Sequence, residues 1–162
     1  MIAPGDAAPD FTLHGLDGLR YSLHEAAGSG PVLLAFWKSA CDTCRVAAPY
    51  FNRLHEAYEN LGWAFWAVAQ DPEPKARAFA EEQALRLTVL LDAPALAVSV
   101  AYDPEATPTL FLIEPTRGVT LTSVGFSKDD LNEISRRVAA YAGAEYVEVA
   151  PATDGVPAMK PG

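Results

Sequence analysis

The stretch from Leu33 to Pro49, LLAFWKSACDTCRVAAP, holds the only two cysteines of the 162-residue chain. Cys41 and Cys44 follow a continuous apolar run, PVLLAFW at 31–37. Such a run suits a strand covered on both faces. Beyond Cys41 the positions Val46, Tyr50, Leu54, Ala57 and Leu61 recur at helical spacing, so a helix is expected to about Asn60. The pair therefore stands where a buried strand gives way to a helix. Pro49, inside that helix, is expected to kink it.

Three chemistries compete for such a pair. A disulfide between residues this close closes a very small loop and stabilises little. A zinc site needs a full tetrahedral set, and the three histidines, His14, His24 and His55, lie far from the cysteines in sequence. A dithiol that cycles fits best, because CxxC at a strand-to-helix junction within an α/β pattern reads as a redox motif. A thiolate at a helix N-terminus faces free backbone N–H groups and the positive end of the helix dipole. Cys41 is thus the expected nucleophile, and Cys44, one turn further in, the thiol that resolves a mixed disulfide. Lys38 and Arg45 add positive potential, and Asp42 opposes it.

The rest of the chain supplies the frame. DFTLHGLDGLRYSL reads as a hairpin around Asp17-Gly18, and HEAAGSG as a short helix stub. Strands are expected at 63–70, 87–92, 109–115 and 119–125, and helices at 73–85 and 93–102. A last helix opens with Ser127 as N-cap, carries Asp129 and Asp130 in its first turn, and ends at Gly143. Strands alternating with helices, closed by a hairpin, give a mixed sheet flanked by helices in one α/β domain over 1–143. Residues 144–162, rich in Pro and Ala, read as an extended tail. Its end, DGVPAMKPG, is a candidate to lie beside Pro108.

Composition narrows the partners. The formal charge is −9 and the longest Lys/Arg cluster is Arg136-Arg137, so nucleic acid is excluded as a natural partner. No run approaches the roughly 20 apolar residues of a membrane span. MIAPGDAAPDF has neither the basic nor the apolar region of a signal peptide, so a cytoplasmic chain is expected as written, with an exported mature form compatible.

FWKSACDTC resembles the FWxxxCxxC signature of thioredoxin-like proteins, with Pro49 matching the proline of their active-site helix. DPEATPTLFLIEPTRG resembles the segment that carries their cis-proline. APGDAAPDFTLHGLDGLRYSL is similar to the N-terminal extension of TlpA/ResA-like and AhpC/TSA-type redoxins. The resemblance covers about residues 3–142. It implies a thioredoxin-like fold with an N-terminal β-hairpin extension, and a cis Pro108 lying against the sulfurs. Thr107 would offer its backbone to an extended substrate, and Trp37 would wall the site. No cofactor and no metal are called for. The implied partners are a protein disulfide substrate and a redox partner protein.

The departures bear on mechanism. Ala35 stands where thioredoxins carry a buried Asp that moves protons for the inner thiol, and Asp71 or Glu73 are the candidate substitutes. Asp42-Thr43 replaces the usual proline-containing pair between the cysteines. Ala40 replaces the bulky residue that often precedes the first one. The leading expectation is thiol–disulfide exchange in the reducing direction. A peroxiredoxin-type peroxidase is the second reading, although Lys38 occupies the place of its hydroxyl residue three before Cys41. A redox-sensing binding module is the third.

Overall fold

The computed structural model of the protein describes residues 1–162. Its elements are β1 (Thr12–Gly15), β2 (Arg20–Ser22), α1 (Leu23–Ala27), β3 (Val32–Trp37), α2 (Asp42–Ala57), β4 (Ala64–Ala69) and α3 (Glu73–Glu82). Then follow β5 (Thr88–Leu91), α4 (Ala97–Tyr102), β6 (Thr109–Ile113), β7 (Val119–Val124), β8 (Phe126–Ser127), α5 (Lys128–Ala142) and β9 (Met159–Lys160). Seven strands form one mixed sheet in the order β2-β1-β5-β4-β3-β6-β7. Strands β3, β4 and β5 run parallel, while β6 and β7 close one edge antiparallel and the N-terminal hairpin closes the other.

β3 lies inside the sheet, and its six residues are all buried. Alternation along it divides the core. Leu33, Ala35 and Trp37 face the larger apolar cluster, shared with residues of α2, α3 and α5. Val32, Leu34 and Phe36 face the smaller one, with residues of α1 and α4. Each large side chain fully removed from water contributes roughly 1.5–3 kcal/mol. An uninterrupted apolar run is therefore what a strand covered on both faces requires.

Several expected boundaries move: α2 ends at Ala57 rather than about Asn60, and α3 at Glu82 rather than at 85. The helix expected over 93–102 begins only at Ala97, because Leu96 is left-handed at φ 53°. Its first N–H groups are met from upstream instead: the buried Asp92 carboxylate accepts from Val98 N at 3.1 Å and Ser99 N at 2.7 Å. Ser127 caps α5 as expected, accepting from Asp130 N, and Gly143 ends it at φ 63°.

Residues 144–162 contain no helix, and they are bonded to the domain along their length. Asn132 pairs with both backbone groups of Ala150. Ser135 Oγ donates to Val147 O, and Val147 N donates to Tyr58 Oη. Lys128, its side chain 4% exposed, gives Nζ to Pro151 O at 2.9 Å, to Val156 O at 2.7 Å and to the Asp154 carboxylate. All three donors of a buried ammonium are thereby used. Strand β9 then pairs antiparallel with β8, Phe126 opposite Lys160 and Ser127 opposite Met159.

The hydrogen bonds from Lys128, and then from Tyr50 and Val156 N, hold the Asp154 carboxyl well below its ordinary value of 3.8. A carboxylate depressed by folding stabilises the fold fully above its unfolded value, and that stabilisation drains as the pH falls through the folded one. Urea midpoints measured at about pH 6 and about pH 2.5 are expected to fall more in the wild type than in Asp154→Asn. The variant falls below the wild type by a wider margin at the higher pH than at the lower.

Candidate active site

Both cysteines are free and buried. β3 delivers the chain to Trp37, a loop of four residues follows, and α2 starts at Asp42 with Cys41 as its N-cap. The cap is made by sulfur: Cys41 Sγ accepts from Cys44 N at 3.1 Å. The same thiol donates to Thr107 O at 2.9 Å. The Thr107–Pro108 peptide is cis, and it opens β6 directly. Two segments remote in sequence thus meet at one atom.

The loop before Cys41 is held from both sides. Ser39 N donates to Asp71 Oδ2, and Ser39 O accepts from Arg45 Nη1 at 2.7 Å. Cys41 N donates to Lys38 O at 3.2 Å. The Arg45 guanidinium lies 5.3 Å from the centre of the Phe79 ring, and Phe79 stacks on Trp37 at 4.5 Å. Arg45, Phe79 and Trp37 therefore form one continuous support beneath the loop, and such a cation–ring contact contributes about 0.5–1 kcal/mol at an exposed site.

The structure gathers some of the expected site residues and separates others. Cys41, Thr107 and Lys38 line one open groove, together with Thr43, Ala106 and the last residues of the tail. Pro108 is buried next to Thr107. Trp37 is buried in the same apolar cluster as both sulfurs and does not line the groove. Asp71 reaches the loop through Ser39, whereas Glu73 is paired with Arg77 at 2.8 Å. Ala35 is buried between Ala67 and Leu110 on the neighbouring strands.

Cys44 is only 2% exposed. Burial pushes its thiol far up, and the Cys41 sulfur beside it adds to the effect, while the Lys38 backbone and Thr107 act in the opposite sense. No carboxylate is among the groups acting on it. Nowhere do three or more His, Cys, Asp or Glu side chains gather closely enough to hold a metal ion. No helix is long and apolar enough to cross a membrane.

Sequence reasoning missed Thr43 and Arg45 Nη1 as structural parts of the site. Thr43 Oγ1 donates to Pro161 O at 2.6 Å, a partner 118 residues away that no local pattern announces. The Arg45 bond to Ser39 O spans six residues across the loop-to-helix turn.

The chain is similar in sequence and fold to known proteins. The model of the AhpC/TSA family matches residues 4–122. The thiol-disulfide oxidoreductase ResA of Geobacillus thermodenitrificans is 32% identical over 134 residues, which are 82% of this chain and 76% of that protein. ResA of Bacillus subtilis is 30% identical over 125 residues, 76% of this chain and 69% of that protein. Among solved structures, a Chlorobium tepidum protein assigned as the thiol:disulfide interchange protein DsbE superposes with a TM-score of 0.77 at 33% identity. That likeness covers 88% of this chain and 100% of the other.

Since burial raises the Cys44 thiol, iodoacetamide at about pH 8 is expected to label Cys44 in a Cys41→Ser variant at least about tenfold more slowly when folded than in urea. Mass spectrometry of quenched samples reads this directly. Equal rates in the two states would mean that Cys44 is not shielded.

Proposed function

The chain belongs to the AhpC/TSA family, and from that premise we propose how its two cysteines work. The protein is a thiol–disulfide oxidoreductase. In the reduced form, the Cys41 sulfur attacks a disulfide of a partner protein as the thiolate, the reactive form. A bond forms between Cys41 and one partner sulfur, the partner's own S–S bond breaks, and the second partner sulfur leaves and takes up a proton. Cys44 then loses its proton and attacks the Cys41 sulfur. The mixed disulfide breaks, the first partner sulfur leaves as a thiol, and Cys41 and Cys44 are joined. Two electrons have passed to the partner, and a second redox protein returns them.

One observation carries this reading: the Cys41 sulfur caps α2 through Cys44 N while bonded to Thr107 O. The attacking atom, the resolving residue and the backbone edge for an extended substrate are therefore already in one place. Thr107 and Pro108 form that edge, which proline leaves open because it has no N–H. Lys38 places a positive charge at the rim. Asp71 acts as a positioning residue through Ser39, and Trp37 supports the loop from the core. Glu73 takes no part. The proton of Cys44 leaves without a buried carboxylate to receive it, because Ala35 stands on the central strand.

The electron flow runs toward the partner in a reducing compartment. A peroxidase reading lacks comparable support, since the position three before Cys41 holds Lys38 rather than a hydroxyl. Residues 1–143 carry the catalytic unit in this reading.

Cys41→Ser is expected to lower exchange with a protein disulfide to the uncatalysed level. Cys44→Ser is expected to accumulate a covalent adduct with the partner, visible on non-reducing gels and released by dithiothreitol. Normal turnover by the Cys44 variant would rule out the two-cysteine mechanism. A redox titration followed by tryptophan fluorescence gives the direction: a potential near about −270 mV marks a reductant and one near about −120 mV an oxidant.

A further inference from the structure

Residues 160–162 lie in the groove beside Cys41 where a substrate would lie. Strand β9 lies along β8, and Gly125, just before β8, donates its N–H to Pro108 O at 2.7 Å. Gly125 has φ +77°, and a Cβ there would come within 2.6 Å of Lys160 O. Only glycine lets the tail backbone pass so closely. The next residues reach both walls that flank Cys41. On one side, Thr43, two residues after the nucleophile, donates to Pro161 O. On the other, Gly162 lies so near Thr107 that a Cβ on it would sit 2.6 Å from Thr107 O, the carbonyl that receives the Cys41 thiol. Cys41 is left 7% exposed.

Two parts of the tail are held very differently. Residues 147–156 are anchored by buried groups: Lys128 spends all its donors there, and Val149 and Ala150 are in the core. Residues 157–162 are held by the two-residue ladder to β8, by Lys128 N donating to Ala158 O, and by the Thr43 hydroxyl. Apart from the half-buried Lys160 their residues are exposed, Met159 at 69%. Such a segment opens locally without disturbing the anchor.

We propose that residues 159–162 are a strap that occupies the groove beside Cys41 and must lift before a protein disulfide can enter. The inference rests on the exchange reading given above, and adds to it a regulation of the same site. The strap engages the surface as an added strand engages a sheet edge, through main-chain pairing. The anchor at Lys128 keeps its local concentration high, so it competes with any free peptide. A partner displaces it only by offering a longer extended segment to the same edge. The observed affinity is lowered by the fraction of molecules that are strapped. Small reagents need only the sulfur and are affected less than large ones.

The test uses the full chain carrying Lys160→Pro, which removes a ladder N–H, and a second protein that stops after Ala158 and keeps the whole Lys128 anchor. Two rates are measured for each. One is modification of Cys41 by a maleimide carrying a polyethylene glycol chain, relative to iodoacetamide, in a Cys44→Ser background. The other is reduction of a disulfide-bonded peptide by the dithiol form. Both are expected to rise at least about fivefold in both proteins, with iodoacetamide labelling changed by less than about twofold. An unchanged maleimide ratio, or slower peptide reduction in both proteins, overturns the strap. A higher maleimide ratio with no peptide reduction by any form, wild type included, upholds the strap and overturns the exchange reading on which its purpose depends.

Discussion

The sulfur of Cys41 does the work that a hydroxyl or carboxylate does at most helix starts. It is the N-cap of α2, and it accepts the N–H of Cys44. An ordinary side-chain cap stabilises a helix by about 1 kcal/mol, so here the reactive atom and the start of the helix cannot be placed independently. The N-terminal end of the helix also presents partial positive charge to that sulfur. To begin exchange, Cys41 gives up its proton and attacks as the thiolate. The negative charge it takes on then faces a fixed backbone donor, with no reorganisation required.

The rest of the structure exists to keep that sulfur in register with the Thr107 carbonyl. β3 brings one partner and β6 the other, and the two strands are direct neighbours, Phe36 opposite Thr109. A slip of one residue between them would turn every apolar side chain of β3 to the wrong layer. The separate apolar clusters on the two faces forbid such a slip. The catalytic distance is thus a by-product of core packing. The loop from Lys38 to Cys41 is too short to wander, and Asp71 and Arg45 fix the two backbone groups of Ser39. Burial of Cys44 follows from the same geometry: one turn into a helix that packs on the sheet, it faces the core and keeps its proton until the mixed disulfide calls on it.

Legibility in the sequence tracked how local each cause was. The β3–α2 junction, the Ser127 cap, the Gly143 stop and the Asp17-Gly18 hairpin each arise from a few neighbouring residues, and each is where the pattern placed it. The start of α4 was not legible. Its cap comes from Asp92, outside the apolar run, and a left-handed Leu96 carries no sequence mark of its own. The path of residues 144–162 was less legible still. Their composition of Pro and Ala suits a free tail, and what binds them is Lys128, a lysine in the first turn of a helix, where a solvated charge is the ordinary reading. Only the three-dimensional structure shows its ammonium turned inward onto Pro151, Asp154 and Val156. Glu73, a candidate stand-in for the acid missing at Ala35, is paired instead with Arg77 four residues on, a contact within one helix turn that the choice between Asp71 and Glu73 did not weigh.

An exposed main-chain edge beside a reactive sulfur is a hazard as well as a binding site, because any extended strand can pair with it. Proteins protect such edges with charge, with bulges or with a covering segment. Here the groove beside Cys41 cannot carry a bulky guard, since Thr107 and Pro108 have to admit a substrate backbone. A covering segment held by its own chain resolves the conflict. It satisfies the edge when no partner is present, adds no permanent obstruction, and owes its reversibility to being short and mostly exposed. The anchor must then be strong and lie elsewhere, or the cover would be lost with the first opening. The division between a buried Lys128 anchor and a two-residue Met159–Lys160 ladder meets both demands. It also explains why glycine stands at the two points of closest backbone approach, Gly125 and Gly162: a side chain at either would hold the strap away from the edge it covers.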